Sequence, residues 1–332
     1  MQRFSIPLTF CLKNDMNGRI IMKTQKPDMH DPVIYYFYRD QFEHSAIGRL
    51  THRQRLLLHP LLLAIIKFRN RLAGFQINLL YDHRTKTDRP VIYAITHICK
   101  YDIEIASEIV HSHYYLLSGD YENMKGTTEE KFLGLNGVVY IREDDRKDRA
   151  LSKEKMISVL KEGGNIMYFP EGTWNLSPNL PVLQCAYGII DVAMRSGALI
   201  VPIGMEQYGN AFHVAVGSYF DVSRYGSDEK TEAIQDLRSA MAALKMDVWA
   251  SAPQESSSPS RENFDALIQD RVSKWPGQPL EGFQNAIFKP KHICTEKDAF
   301  AFLKHLTLNS SNCFLSKAKA DYFTEYLNSS HM

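Results

Sequence analysis

The amino-acid sequence predicts an α/β fold in which helices flank a central, mostly parallel sheet. From Ile77 to about residue 220, short β-rich runs alternate with helical patterns, as they do in strand–helix–strand units. The β-rich runs are Pro90–Thr96, Tyr114–Leu117, Gly137–Ile141, Asn165–Phe169 and Ala198–Ile203. The helical patterns between them are Ile103–Val110, Ser152–Lys161 and Val182–Arg195.

The regions on either side of this alternation have different patterns. After Asp221 the strand-like runs stop, and one long helix is predicted from a single apolar stripe. The stripe consists of Ile234, Leu237, Met241, Leu244 and Val248. Serine and proline in residues 251–260 predict a surface loop. We therefore expect an N-terminal segment (1–76), an α/β domain (77–225) and a helical C-terminal extension (226–332).

Composition and charge exclude several classes of protein. The 332 residues include 39 basic and 38 acidic side chains, so the net charge of +1 gives no global attraction to nucleic acid. The five cysteines lack metal-ligand spacing, and their odd number favours free thiols in a reducing compartment. No signal peptide is expected, because residues 1–14 have no apolar core.

A basic, leucine-rich segment spans residues 49–71, which contain no acidic side chain. Its apolar run, Leu56–Ile66, is much shorter than the roughly 20 residues needed to cross a bilayer. We predict that this segment lies in the membrane interface and that its basic side chains reach lipid phosphates. The alternative is a core helix with charged ends. The basic residues are Arg49, Arg53, Arg55, Lys67, Arg69 and Arg71. The expected location is peripheral, at the cytoplasmic face of the cell membrane.

A histidine and an aspartate five positions apart form the first candidate site. His97 ends a predicted strand, and Asp102 begins the next predicted helix. Since five residues correspond to about 500° of an α-helix, the two side chains can meet only across such a junction. Asp102 can then fix the tautomer of His97 and leave its other ring nitrogen as a general base. The spacing alone is a weak signal, because His83 and Asp88 repeat it in a polar segment.

The second candidate site is the segment Phe169–Thr173, which follows another buried-looking strand. A glycine in such a turn lets backbone N–H groups approach an anionic ligand. The alternative is an ordinary turn capped by Glu171. Because the carboxyl ends of parallel strands form one crevice, His97 and Glu171 are expected to lie along the same edge of the sheet.

These motifs, with two others, resemble those of the glycerolipid acyltransferase family, which includes bacterial 1-acylglycerol-3-phosphate acyltransferases. That family carries Asn-His, four residues and Asp; a glycine-containing strand that ends in arginine; Phe-Pro-Glu-Gly-Thr-Arg; and a late Val-Pro segment. The matching segments occur here in the same order: His97–Asp102, Gly137–Arg142, Phe169–Thr173 and Val201–Ile203. The resemblance covers roughly residues 77–220 and implies that His97 and Asp102 are catalytic.

Three positions depart from the family pattern. Thr96 stands where the family usually has asparagine, and its hydroxyl can still form a local hydrogen bond. Trp174 replaces the arginine that follows the third motif, and Arg142 lies one position earlier than usual. In the family those two arginines are associated with the phosphate of the acceptor, which tryptophan cannot bind as an arginine fork does. Arg142, Arg146 or Lys131 are candidates to bind the phosphate in place of the missing arginine. The residues expected to bind substrate are Glu171, Gly172, Thr173, Arg142, Trp174 and Lys131.

The resemblance implies transfer of a fatty-acyl group from acyl-CoA or acyl carrier protein to a hydroxyl of a lysophosphatidate-like glycerolipid. His97 would remove the hydroxyl proton, and N–H groups of the Gly172-Thr173 turn would stabilise the oxyanion. The chain has no serine nucleophile elbow and Cys99 is interpreted as a packing residue, so no covalent intermediate is expected. The expected partners are the acyl donor, the lipid or glycolipid acceptor and the membrane surface, with no cofactor and no nucleic acid.

Three alternatives remain open at this point. The same chemistry can acylate a hydroxyl of a glycan or glycolipid, since Trp174 suits a sugar ring. A thioesterase or lipid hydrolase can use the His97–Asp102 pair to activate water. The third alternative is a non-catalytic protein of the membrane surface that keeps the fold.

Overall fold

The computed structural model describes residues 10–14, 20–24 and 32–251, apart from residues 120, 178 and 179. Beyond residue 251 it describes residues 266, 301–308, 315, 316, 319 and 320. The predicted surface loop therefore lies, from residue 252 onward, outside the described residues.

The chain forms two compact units, residues 1–283 and residues 284–332. The second unit contains a short 3-10 helix, Ala301–Lys304, and a hydrogen bond from the Lys319 ammonium to the carbonyl of Leu306. The division into three segments made from the sequence stays a prediction.

Seven strands form the central sheet of the first unit. They are β3 (Gln76–Asp82), β4 (Val91–Ile95), β5 (Tyr115–Ser118), β6 (Val138–Tyr140), β7 (Ile166–Tyr168), β8 (Leu199–Tyr208) and β9 (Ala211–Val216). Two further strands, β1 (Phe10–Asn14) and β2 (Ile20–Thr24), form an antiparallel pair of their own. The order in the large sheet is β3-β9-β8-β4-β7-β5-β6, and all neighbours run parallel except β8 and β9. The prediction of a mostly parallel sheet flanked by helices is confirmed.

Within residues 32–251, the helices are α1 (Pro32–Glu43), α2 (His52–Leu72), α3 (Asp102–Val110), α4 (Tyr121–Met124), α5 (Thr128–Asn136), α6 (Arg146–Lys161), α7 (Gly188–Ser196) and α8 (Lys230–Ala250). A 3-10 turn, Val222–Arg224, precedes α8. All five apolar residues of the stripe predicted for α8 are buried, which confirms that helix.

Strand β4 lies at the centre of the core, and all five of its residues are buried. Its alternate side chains enter two apolar layers. Ile92 and Ala94 pack with buried residues of α6, α7 and α8. Val91, Tyr93 and Ile95 pack with buried residues of α3. Burial on both faces explains why this strand is a continuous apolar run in the sequence.

Two predicted helices have different starts in the structure. The helix predicted from Val182 is wrong in its first half, because α7 begins only at Gly188. The preceding segment is irregular because its backbone N–H groups bond elsewhere: that of Leu183 to the Glu171 carboxylate, and that of Ala186 to the carbonyl of Pro170. Helix α6 begins six residues earlier than expected, since the Asp145 carboxylate caps its first turn.

Helix α2 includes residues 52–71 of the segment predicted to lie in the membrane interface, whereas Arg49 precedes the helix. The prediction that Arg55 reaches lipid phosphates is wrong, because Arg55 is buried between α2 and α5. Its guanidinium donates hydrogen bonds to the carbonyls of Ile47 at 2.9 Å and Leu135 at 3.1 Å. Arg55 therefore attaches α2 to the rest of the unit.

Histidines of α2 pack beside Arg55 against His113, which precedes β5. The His52 and His59 rings lie 5.3 and 5.5 Å from the His113 ring, centroid to centroid. His113 is 4% exposed, and its Nε2 lies 2.6 Å from the carbonyl oxygen of Asn136. Burial, together with the charges of His59, His52 and Arg55, lowers the pKa of His113 to about 4.

We expect this buried histidine to make the protein less stable in mild acid. Because the pKa of His113 is lower in the folded state, the stability that its neutral form contributes is present above about pH 6.5 and is lost as the pH falls toward 4. The loss is about 3 kcal/mol over that window. Urea denaturation of the wild type and His113→Gln between pH 7 and 4.5 measures it. Parallel pH profiles for the two proteins would contradict the assignment.

Candidate active site

The two candidate motifs follow adjacent parallel strands, β4 and β7, and meet at one edge of the sheet. The backbone N–H of His97 donates a hydrogen bond to Oε1 of Glu171 at 2.9 Å. The two motifs therefore meet in one crevice and are in direct contact.

His97 and Asp102 form a hydrogen-bonded pair across the junction between β4 and α3. Nδ1 of His97 lies 2.7 Å from Oδ2 of Asp102, which is 1% exposed. The carboxylate also accepts the N–H of Ile98 at 2.6 Å and that of Cys99 at 3.1 Å. These donors fix the orientation of the carboxylate. With the Nδ1 proton directed at Asp102, the Nε2 atom of a neutral His97 is the basic nitrogen.

Aromatic side chains and a backbone hydrogen bond hold His97 in place. Its ring packs on Phe169, 4.5 Å between centroids, and meets Trp174 edge-on at 6.2 Å. Its carbonyl accepts the N–H of Asn175 at 2.6 Å. The side chain nevertheless remains 23% exposed, so a substrate can reach the ring. This is the geometry required of a positioned general base.

Glu171 supports the backbone around the histidine. It is 8% exposed, and its Oε2 accepts the N–H of Leu183 at 2.7 Å while Oε1 accepts that of His97. Burial raises the pKa of Glu171, and these two amides act in the opposite direction. Both carboxylate oxygens are thus engaged within the protein. A contact between Glu171 and substrate stays a prediction.

The turn after Glu171 has one residue that only glycine suits. Gly172 has φ of +69°, and a Cβ there would lie 3.3 Å from Oε1 of Glu143. Its N–H donates to the carbonyl of Phe169 at 3.1 Å, which leaves the N–H of Thr173 as the candidate oxyanion donor of this turn. Trp174 is buried, 4% exposed, and forms part of the wall beside His97.

Arg142 lies on the loop after β6, next to this turn. Its backbone N–H donates to Oδ2 of the buried Asp148 at 2.6 Å. Its guanidinium binds both oxygens of Asp144, at 2.8 and 3.1 Å. The neighbouring Glu143 borders Gly172, so the second and third motifs adjoin. Binding of substrate by Arg142 stays a prediction.

Lys131 lies on α5 and lines a cavity shared by α1, α4 and α5. Tyr38, Phe42, Tyr121 and Lys125 are among the other residues that line it, and none of the lining residues belongs to the four motifs. Among the described residues, no contact links Lys131 to the crevice of His97. The role of Lys131 in binding substrate stays a prediction.

The residue before His97 is buried, whereas the histidine of the second His–Asp pair lies after an edge strand of the sheet. Thr96 is fully buried, and its hydroxyl bonds the backbone of Met205, accepting from the N–H at 2.9 Å and donating to the carbonyl at 3.3 Å. The hydroxyl is therefore hydrogen-bonded, but to a neighbouring strand distant in the chain and not locally as expected. His83 instead follows the edge strand β3 and stacks on Tyr81 with 4.5 Å between ring centroids.

The residues around this crevice also match a known family. Residues 76–206 match the family model described as Acyltransferase. The matched residues include all four motifs, and the family resemblance is confirmed. The parts of the chain that carry α2 and α8 lie outside the matched residues.

Known proteins similar to this chain include one from Borreliella burgdorferi and one from Thermotoga maritima. A 76-residue stretch is 32% identical to 1-acyl-sn-glycerol-3-phosphate acyltransferase of Borreliella burgdorferi, covering 23% of this chain and 30% of that protein. The match thus spans under a third of that relative's length. The crystal structure of the 1-acyl-sn-glycerophosphate (LPA) acyltransferase PlsC from Thermotoga maritima has 17% sequence identity and a TM-score of 0.49, covering 68% of this chain and 93% of that one.

Proposed function

We propose that the protein is an O-acyltransferase that moves a fatty-acyl group from acyl-CoA or acyl carrier protein to a hydroxyl of a lysophosphatidate-like glycerolipid. The hydrogen-bonded pair of His97 and Asp102, within the residues that match the acyltransferase family model, carries this proposal. The name of the Borreliella burgdorferi relative supports a glycerolipid acceptor.

The reaction is a direct transfer with His97 as general base. Nε2 of His97 takes the proton of the acceptor hydroxyl. At the same time, the hydroxyl oxygen forms a bond to the carbonyl carbon of the thioester. The N–H of Thr173 stabilises the oxyanion. When the carbon–sulfur bond breaks, the thiolate leaves and receives the proton from His97. Cys99 is not required as a nucleophile, because its buried thiol donates to Oδ1 of Asp102 at 3.3 Å.

Product analysis tests the reaction and separates it from the alternatives. Purified protein is incubated with acyl-CoA and a panel of lysolipids, glycolipids and water alone, and the products are identified by mass spectrometry. Acylated lysophosphatidate supports the proposal, whereas an acylated glycolipid moves the acceptor to the glycan class. Free fatty acid in place of any acylated product would overturn it in favour of a thioesterase or hydrolase.

We further propose that α2 attaches the protein peripherally to a membrane. Among the described residues, no helix combines the length and the apolar character needed to cross a bilayer. On α2, Leu57 is 82% exposed, Leu61 61%, Phe68 62% and Leu72 71%. Their spacing follows the helical period, so they form one exposed apolar face, opposite to the face that packs on α3 and α5.

The charges on α2 support the same location. Arg53, Lys67 and Arg71 are exposed and lie along one border of the apolar face, as expected when their side chains extend to lipid phosphates. Each basic side chain near an anionic surface contributes on the order of 1 kcal/mol. A few such residues suffice to bind a chain whose net charge is only +1.

Charge reversal on α2 is expected to weaken membrane binding. Arg53→Glu with Lys67→Glu should lower the affinity for anionic liposomes by at least about 30-fold, because about 2 kcal/mol of attraction is lost. Co-sedimentation at low and high salt measures it. The matched control, Lys161→Glu with Arg224→Glu, alters net charge equally at exposed sites away from α2 and should bind nearly normally. Equal binding of liposomes by both double variants would exclude attachment of the protein through α2.

A further inference from the structure

Helix α8 lies outside the residues that match the family model, yet two of its cations reach the segments that hold the site. Arg238 and Lys245 are seven residues apart, so two helical turns bring them to one face of α8. That face is anchored by buried apolar residues, and α8 packs against β8 and α7. The position of both cations is therefore fixed by the core.

Arg238 holds the segment that donates to Glu171. Its Nε donates to the carbonyls of Val182 at 3.1 Å and Leu183 at 3.0 Å, and its Nη2 donates to that of Val182 at 2.8 Å. The N–H of the same Leu183 donates to Oε2 of Glu171. Arg238 thus fixes the irregular segment before α7 at the point where it meets the glutamate.

Lys245 holds the strand next to His97. It is 2% exposed, its ammonium donates to the carbonyl of Met205, and it pairs with Glu206 at 3.0 Å. Met205 is the residue whose backbone bonds the hydroxyl of Thr96, immediately before His97. A buried cation on α8 is therefore two hydrogen bonds away from the catalytic segment.

The charge of Glu171 depends on the groups that face it. These are His97 from the end of β4, Lys245 from α8 and the thiol of Cys185 from the segment before α7. Burial raises the pKa of Glu171, while the amides of Leu183 and His97 and the charges of His97 and Lys245 oppose this. The ionised carboxylate accepts both amides more strongly than the protonated carboxyl does, because both of its oxygens are charged acceptors.

We propose that Arg238 and Lys245 are positioning residues of the acyl-transfer site. Arg238 fixes the segment that donates to Glu171, and Lys245 fixes the strand that bonds Thr96 immediately before His97. This inference rests on the proposed function for its kinetic test. The hydrogen bonds of the backbone can also be measured without turnover. The positioning role and the proposed function can therefore fail separately.

The kinetic test compares Lys245→Met and Arg238→Met with Lys230→Met. Lys230 lies on the same helix but pairs with Asp191 at 2.7 Å, away from the crevice. We expect kcat to fall about tenfold or more in the two site variants, because the general base is misplaced, with KM for acyl-CoA little changed. The acid limb of the pH–activity profile should move to higher pH in Lys245→Met, because loss of the ammonium charge raises the pKa of Glu171, and it should return in Lys245→Arg. Profiles identical to that of Lys230→Met would overturn the inference.

The measurement without turnover follows the amide of His97 in ¹⁵N-histidine-labelled protein, assigned with His97→Gln. Because this amide donates to Glu171, its shift reports protonation of the carboxylate. The midpoint should rise in Lys245→Met and stay unchanged in Lys230→Met. If Lys245→Met does not fold, Arg238→Met is measured instead in ¹⁵N-leucine-labelled protein, through the amide of Leu183 that donates to Glu171. A wild type without acyl transfer would refute only the proposed function, whereas unchanged amide midpoints refute the positioning role.

Discussion

His97→Ala is expected to lower acyl transfer by roughly 10²- to 10⁴-fold while the fold is retained, because it removes the general base. The imidazole is partly exposed, so its loss leaves no large cavity in the core. Asp102→Asn should reduce turnover by a smaller but still large factor, since an amide does not hold the Nδ1 proton of His97 as a carboxylate does. Turnover with acyl-CoA, together with circular dichroism, measures both effects.

His83→Ala is the matched control for this experiment. It removes a histidine of the same His–Asp spacing that stacks on Tyr81 beyond the edge strand β3. Its turnover should remain near that of the wild type. Near-normal turnover by a folded His97→Ala protein would refute the assignment of the general base.

Asp148→Ala is expected to destabilise the protein by about 3–5 kcal/mol, because it leaves a buried arginine without its main partner. Asp148 is 0% exposed and binds the guanidinium of Arg39 from α1. It also accepts the hydroxyl of Tyr35 at 3.1 Å and the N–H of Arg142 at 2.6 Å. The variant therefore loosens both α1 and the loop of the second motif. Urea denaturation at neutral pH measures the change.

Asp144→Ala provides the comparison, since Asp144 also pairs with an arginine but its side chain is 68% exposed. Exposed pairs contribute about 0–1 kcal/mol, so this variant should remain close to the wild type in stability. Losses of similar size in the two variants would show that burial of Asp148 is not what makes its interactions strong.

The sequence by itself determined the α/β class and the main parts of the candidate site. Strand β4 is buried on both faces, so it stands out as a continuous apolar run that ends at His97. Asp102 is close to it in the chain, and a strand–helix junction is the local structure that lets residues at this spacing meet. The stripe of α8 is visible for the same reason, because it repeats with the helical period.

Only the tertiary structure decided the features that depend on residues distant in the chain. It distinguished His97 from His83 through the positions of β4 and β3 in the sheet. It placed the carboxylate of Glu171 on the amides of His97 and Leu183, and that contact replaced the first turns of the helix predicted from residue 182. It also turned Arg55 inward and brought Arg238 and Lys245 to the crevice. The local periodicity of the sequence cannot predict these contacts, because each depends on the packing of one element against another.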